Sequence, residues 1–114
     1  MNQRIDDAVI KFGIPLDILG RIIETIKLEK RVKEIILFGS RAKGEFKNGS
    51  DIDIAVIADT LKFDELNQIR VNLSELPIPY SVDIIDFNKI TNNELKEHIL
   101  RVGQTVTSTL PACR

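Results

Sequence analysis

The apolar positions divide the chain into alternating helical and extended stretches. Ile18, Leu19, Ile22, Ile23 and Ile26 recur at i, i+1, i+4, i+5 and i+8, one stripe of a helix expected over residues 15–31. Pro15 suits its first turn, where a missing N–H leaves no bond unmade. The charged run over residues 27–34, KLEKRVKE, reads as the solvated end of that helix, with basic residues favoured by the helix dipole. Glu34-Ile35-Ile36-Leu37-Phe38 reads as a buried strand stopped by Gly39, and residues 51–58, DIDIAVIA, as a second. Leu66, Ile69, Leu73 and Leu76 predict a helix over residues 63–76, closed by Pro77 and Pro79. Residues 81–86, SVDIID, form a third strand. Thr91-x-x-Glu94 matches a capping box that opens a last helix to about Val102, with Gly103 as its stop. Residues 104–109 add a short strand or a fraying end.

This order predicts an α+β, α/β-like fold, a small mixed β-sheet flanked by helices. A helix separates the second and third strands, so those two can lie parallel. About a dozen residues join the first two, enough for an antiparallel return or for a loop with a short helix. With 114 residues the chain is expected to form a single domain, 1–114.

Composition narrows the function classes. Sixteen Lys and Arg stand against 17 Asp and Glu, a formal charge of -1 that gives no broad electrostatic grip on nucleic acid. No apolar run approaches the ~18 residues of a membrane span, and residues 1–7, MNQRIDD, hold no apolar signal core. The single cysteine, Cys113, excludes an internal disulfide framework. Together these point to a cytoplasmic protein.

The chemistry concentrates in residues 37–56. Asp51 and Asp53 are two apart on a strand, so both face the same side. Adjacent like charges weaken a strand, and a hard divalent cation bound by oxygen would offset that. Asp83 is a third acid inside an apolar β-run. If its strand lies beside the second, three carboxylates converge and can hold two Mg²⁺ of the kind used for displacement at phosphorus. Gly39-Ser40 ends a strand where a missing Cβ lets backbone amides and the Ser40 hydroxyl approach phosphate oxygens. Arg41 and Lys43 add positive charge where a triphosphate needs it. No Walker loop or dinucleotide fingerprint occurs.

Gly39-Ser40, ten residues, then Asp51-x-Asp53 resembles the signature of the DNA polymerase β-like nucleotidyltransferase superfamily. LFGSRAKGEFKNGSDIDIAV with SVDIID resembles its minimal nucleotidyltransferase (MNT) group, over residues 35–103. The resemblance implies the polymerase β-like fold and use of a nucleoside triphosphate, ATP foremost. It implies two divalent ions, Mg²⁺ with Mn²⁺ or another divalent as a substitute, held by Asp51, Asp53 and Asp83. Asp83 would help to deprotonate the acceptor. Gly39 and Ser40 would contact the β and γ phosphates, with Arg41 as a further nucleotide contact. Members of this group are often encoded beside a small helical HEPN-type protein, which several adenylylate as antitoxins. The expected activity is transfer of AMP from ATP to a hydroxyl of such a partner. The alternatives are a nucleotide-binding, toxin-neutralising subunit with little activity of its own, or transfer to a small molecule such as an antibiotic.

No acceptor pocket is evident in the sequence, so a partner surface is expected, either on the N-terminal segment up to Phe12-Gly13-Ile14 or on the last helix. Asp86 lies an odd number of residues from Asp83, so it is expected to face away and cap the next segment. Asp59 and Asp64 belong to the entry of the second long helix. His98, the only histidine, is expected to be a surface or packing residue rather than a catalyst, and Phe46 sits where it could meet a base or a partner.

Overall fold

The computed structural model describes residues 12–47 and 49–107. In chain order it contains α1 (Leu16–Lys27), β1 (Val32–Phe38), a short α2 (Gly39–Lys43), β2 (Ile52–Ala58), α3 (Phe63–Ser74), β3 (Val82–Asp86), a 3-10 turn (Phe87–Lys89), α4 (Asn93–Val102) and β4 (Gln104–Thr105). The four strands form one sheet in the order β3-β2-β1-β4. β1 runs antiparallel to β2 and to β4, while β2 and β3 are parallel, with α3 as their crossover. The sheet is therefore mixed and flanked by helices, as the sequence predicts. The link between β1 and β2 is an antiparallel return that also contains a short helix.

Alternation along the strands separates two apolar layers. Ile35, Leu37, Ile52, Ile54, Val56 and Ile84 pack against Leu19, Ile22, Ile23 and Ile26 of α1 and Leu66, Ile69 and Leu73 of α3. On the opposite face, Ile36, Phe38 and Ala55 meet Ile99 of α4, with Ile85, Phe87 and Leu95 at the margin. Asp53 of β2 and Asp83 of β3 lie on this second, thinner layer, because they alternate with Ile52, Ile54 and Ile84.

Several expectations are corrected. The charged run is not one solvated helix end: α1 stops at Lys27, and Val32 to Glu34 already belong to β1. There Lys33 reaches across to Asp59 at 2.8 Å, so exposed charges close the open end of the β1–β2 pair. The cap of α4 is Asn92 rather than Thr91. Its side-chain oxygen accepts from the amides of Glu94 and Leu95 at 2.9 and 3.2 Å, in keeping with the strong preference for Asn at this position. Gly103 does end α4, but in an extended conformation (φ -64°, ψ 147°) that leads directly into β4. Phe12 and Ile14 are buried in the α1 layer, so they offer no docking surface; residues 1–11 lie outside the described residues. Among the described residues no helix is long and apolar enough to cross a membrane.

Candidate active site

β1 delivers its end directly into the site. Phe38 is the last strand residue and pairs with Asp53 of β2. The next residue, Gly39, takes φ +76° and opens α2. A Cβ on Gly39 would overlap the Asp53 carboxylate. Glycine thus serves two needs here: it permits a left-handed backbone, and it leaves the space the acid occupies. Gly39 and Ser40 stand in the first turn of α2, where amides have no intrahelical acceptor and are free to meet another oxygen.

The parallel pairing of β2 and β3 places Asp53 directly opposite Asp83. Asp51 lies just before β2 and is exposed, as is Asp83, whereas Asp53 is half-buried between them. Burial pushes the Asp53 carboxyl above its usual range, and the charges of Asp83 and then Asp51 push it further in the same direction. None of the three carboxylates has an ion-pair partner among the described residues: Lys43 on α2 pairs with Glu45 instead, and Arg31 and Lys33 lie at the other end of the β1–β2 pair, where they meet Glu29, Glu65 and Asp59. The result is a concentrated, uncompensated negative patch on an open rim. Among the described residues no three His, Cys, Asp or Glu side chains converge to hold a metal by themselves. The donor set is still all oxygen and anionic. That suits a hard cation such as Mg²⁺, which takes one or two carboxylates and completes its shell with substrate phosphate and water. Members of the polymerase β-like superfamily typically use divalent metals.

Arg41 departs from its expected role. It is only 2% exposed. Its Nε and Nη2 donate to the Ser50 carbonyl at 3.2 and 3.0 Å, and its Nη1 donates to the carbonyls of Phe12 and Gly13 at 2.9 and 3.2 Å. The guanidinium also lies over the rings of Phe46 and Tyr80, 5.0 and 5.2 Å from their centroids. A guanidinium so enclosed is not available to phosphate. Lys43 pairs with Glu45 at 3.2 Å. Phe46 is occupied by the Arg41 stack.

The remaining side chains behave as expected. Asp86 turns to the α1 layer, is 5% exposed, and its Oδ1 accepts from the Asn88 amide at 3.0 Å, capping the 3-10 turn. His98 packs edge-on against Phe38 with ring centroids 6.4 Å apart. Sequence reasoning missed Tyr80 and the Ser50 carbonyl, which the fold alone brings to Arg41. Cavities of about 300 and 370 Å³ lie along the outer side of β3 and include none of the three acids among their walls.

Comparison with known proteins agrees with this geometry. Residues 20–111 match the family described as "Polymerase beta, Nucleotidyltransferase". A Haemophilus influenzae protein whose name describes it as a protein adenylyltransferase, MntA, is 34% identical over 84 residues, covering 71% of this chain and 72% of the relative. A Methanocaldococcus jannaschii protein named as a protein adenylyltransferase is 40% identical over 78 residues, 65% of this chain and 86% of that one. Among solved structures, the complex of a tri-AMPylated Shewanella oneidensis HEPN toxin with its MNT antitoxin matches with a TM-score of 0.60 and 25% identity, covering 78% of this chain and 68% of that one. A Sulfolobus solfataricus nucleotidyltransferase structure shares the fold at a TM-score of 0.53 and 19% identity, over 90% of this chain and 85% of the other. With the Gly-Ser turn seated against paired aspartates, the chain belongs to the polymerase β-like nucleotidyltransferase family.

Proposed function

We propose that this chain, as a single domain, transfers AMP from ATP to a hydroxyl of a small helical HEPN-type partner in the cytoplasm, as an MNT antitoxin. The observation that carries the reading is the juxtaposition of Gly39 with the Asp53–Asp83 pair. It brings the first-turn amides of Gly39 and Ser40 beside an acidic patch, so a triphosphate held at one would be presented to the other. The exposure of Asp51 and Asp83 supports a macromolecular acceptor that can reach them directly. The relatives named as protein adenylyltransferases and the AMPylated toxin complex support the same acceptor class.

In this reading the amides of Gly39 and Ser40 and the Ser40 hydroxyl bind the β and γ phosphates. Asp51, Asp53 and Asp83 would hold two Mg²⁺, which supply neutralisation of the triphosphate charge and acidification of the acceptor hydroxyl. The acceptor oxygen attacks the α-phosphorus, the bond to the bridging oxygen breaks, and pyrophosphate leaves with the electron pair. Asp83, exposed on the outer strand, takes the acceptor proton. Leu100, 69% exposed on α4, gives the last helix an apolar residue for the partner.

The test is transfer from ATP labelled at the α-phosphate, with the chain co-purified with the helical protein of the adjacent gene. Label is expected on the partner, and EDTA or Asp53→Asn is expected to abolish it. Label moving only from the γ-phosphate, or no transfer by a complex that binds ATP, would overturn the reading.

A further inference from the structure

Arg41 is a buried cation with no carboxylate partner among the described residues. Isolated burial of charge is strongly unfavourable, so the site must compensate it. It does so with three backbone carbonyls and two aromatic faces, and the positions of those groups in the chain are informative. Ser50 immediately precedes Asp51. Tyr80 lies three residues before Asp83. Arg41 itself follows Gly39-Ser40. One side chain therefore touches all three segments that carry the proposed site: the phosphate turn, the entry of β2 and the entry of β3. Phe12 and Tyr80 belong to the α1 layer, whereas Asp53 and Asp83 alternate to the α4 face. The clamp thus acts from behind the sheet, without reaching substrate.

We propose that Arg41 is a positioning residue, a clamp that sets the register of the Gly39-Ser40 turn against the carboxylates of β2 and β3. The planar fork makes it possible. Nε and Nη2 hold one carbonyl together while Nη1 holds two others, and both faces remain free to stack. Lysine keeps the charge but has neither the fork nor the flat faces. This inference rests on the adenylyl-transfer reading only for its kinetic readout.

Arg41→Lys and Arg41→Ala are compared with the wild type in the partner complex, using Mg·ATP labelled at the α-phosphate. Misplacing reacting groups by about 1 Å costs on the order of 100-fold in rate. Arg41→Lys is therefore expected to lower kcat about 100-fold per folded molecule while KM for Mg·ATP changes less than about threefold. Arg41→Ala opens space beside a cavity of about 250 Å³ walled by Gly13, Phe46, Gly49, Pro79 and Tyr80. Millimolar ethylguanidinium is expected to restore at least tenfold of its rate, and ethylammonium none. If that variant does not fold, Arg41→Lys decides by the same split. A large rise in KM with kcat intact would make Arg41 a phosphate ligand and overturn the proposal. Unchanged activity per folded molecule would reduce it to packing and overturn it too. A wild-type complex that transfers nothing refutes adenylyl transfer instead. Amide exchange then still tests the clamp, which requires faster exchange around residues 39–41, 50–53 and 80–83 in Arg41→Lys, with α3 and α4 unaffected. Uniform protection there would overturn it.

Discussion

Asp53→Asn separates what the acidic pair does for stability from what it does for function. Asp53 and Asp83 are cross-strand neighbours of like charge, and Asp53 is the member pushed above the ordinary carboxylate range, by burial first and then by Asp83 and Asp51. A raised acid binds its proton more tightly in the folded than in the unfolded chain. Its favourable contribution is therefore complete at pH below the unfolded value and is lost as pH rises through the raised folded value. At neutral pH the ionised Asp53 is a net liability. Cross-strand charge pairs are worth about 0.2–1 kcal/mol, and half-exposure keeps the effect within that range. For a domain of this size that converts to a rise in Tm of about 1–8 °C for Asp53→Asn at pH 7.5 in EDTA. Thermal unfolding followed by circular dichroism across acid to neutral pH reads it directly. The gap between variant and wild type should be smallest at the acid end and open as pH rises. Added Mg²⁺ should shrink or invert it, since only the wild type keeps the full donor set. A variant less stable than wild type at pH 7.5 without divalent cations, or a gap independent of pH, would refute the reasoning.

Gly39→Ala and Gly44→Ala share a left-handed backbone, φ +76° and +79°, but only the first meets an obstacle, the Asp53 carboxylate. Both should lose roughly 1–2 kcal/mol in denaturant melts, while only Gly39→Ala should lose transfer activity per folded molecule; equal activity in the two would remove Gly39 from the site. Asp86→Ala should cost about 0.5–2 kcal/mol through the lost cap of the 3-10 turn and leave activity per folded molecule unchanged, checked by the same melts. His98→Ala should leave the transfer rate within about twofold, because the ring only packs on Phe38; a tenfold loss would make it a participant.

Periodicity carried most of the architecture. The Ile stripe of α1 and the alternation in residues 51–58 are unambiguous because burial is one-sided in the first and two-sided in the second. Turns and caps were less legible. The capping box pointed to Thr91, whereas the backbone path puts Asn92 at the cap. The charged run failed as a guide because Lys33 and Glu34 are exposed although they lie in β1, paired with the end of β2, where Lys33 has Asp59 to meet. For the acids, strand spacing does not govern Asp51, which falls just before β2, while the helix between β2 and β3 made Asp83, the parallel partner of Asp53, foreseeable. Arg41 was misread because the sequence shows its proximity to the phosphate turn but not its direction. Its direction depends on Ser50, Gly13, Tyr80 and Phe46, which come together only after the sheet closes.

The smallest strand has a consequence for how the chain reaches this fold. β4 is two residues long, yet it flanks β1 on the side opposite β2. Its neighbours extend the attachment: the Val106 amide donates to the Ile35 carbonyl at 2.8 Å, and the Ile35 amide donates to Thr107 Oγ1, a bond that joins positions 72 apart. β1 is among the first strands made but among the last to be flanked on both sides. Until residues 104–107 arrive, its outer backbone, with Ile36 and Leu37 beside it, is an apolar sheet edge of the kind that recruits strands from other molecules. Long-range closure of this type also slows folding. Chains ending at Gly103 should therefore refold more slowly and associate at concentrations where the longer chain stays dispersed, so the purity of a preparation depends on a segment that carries none of the proposed chemistry.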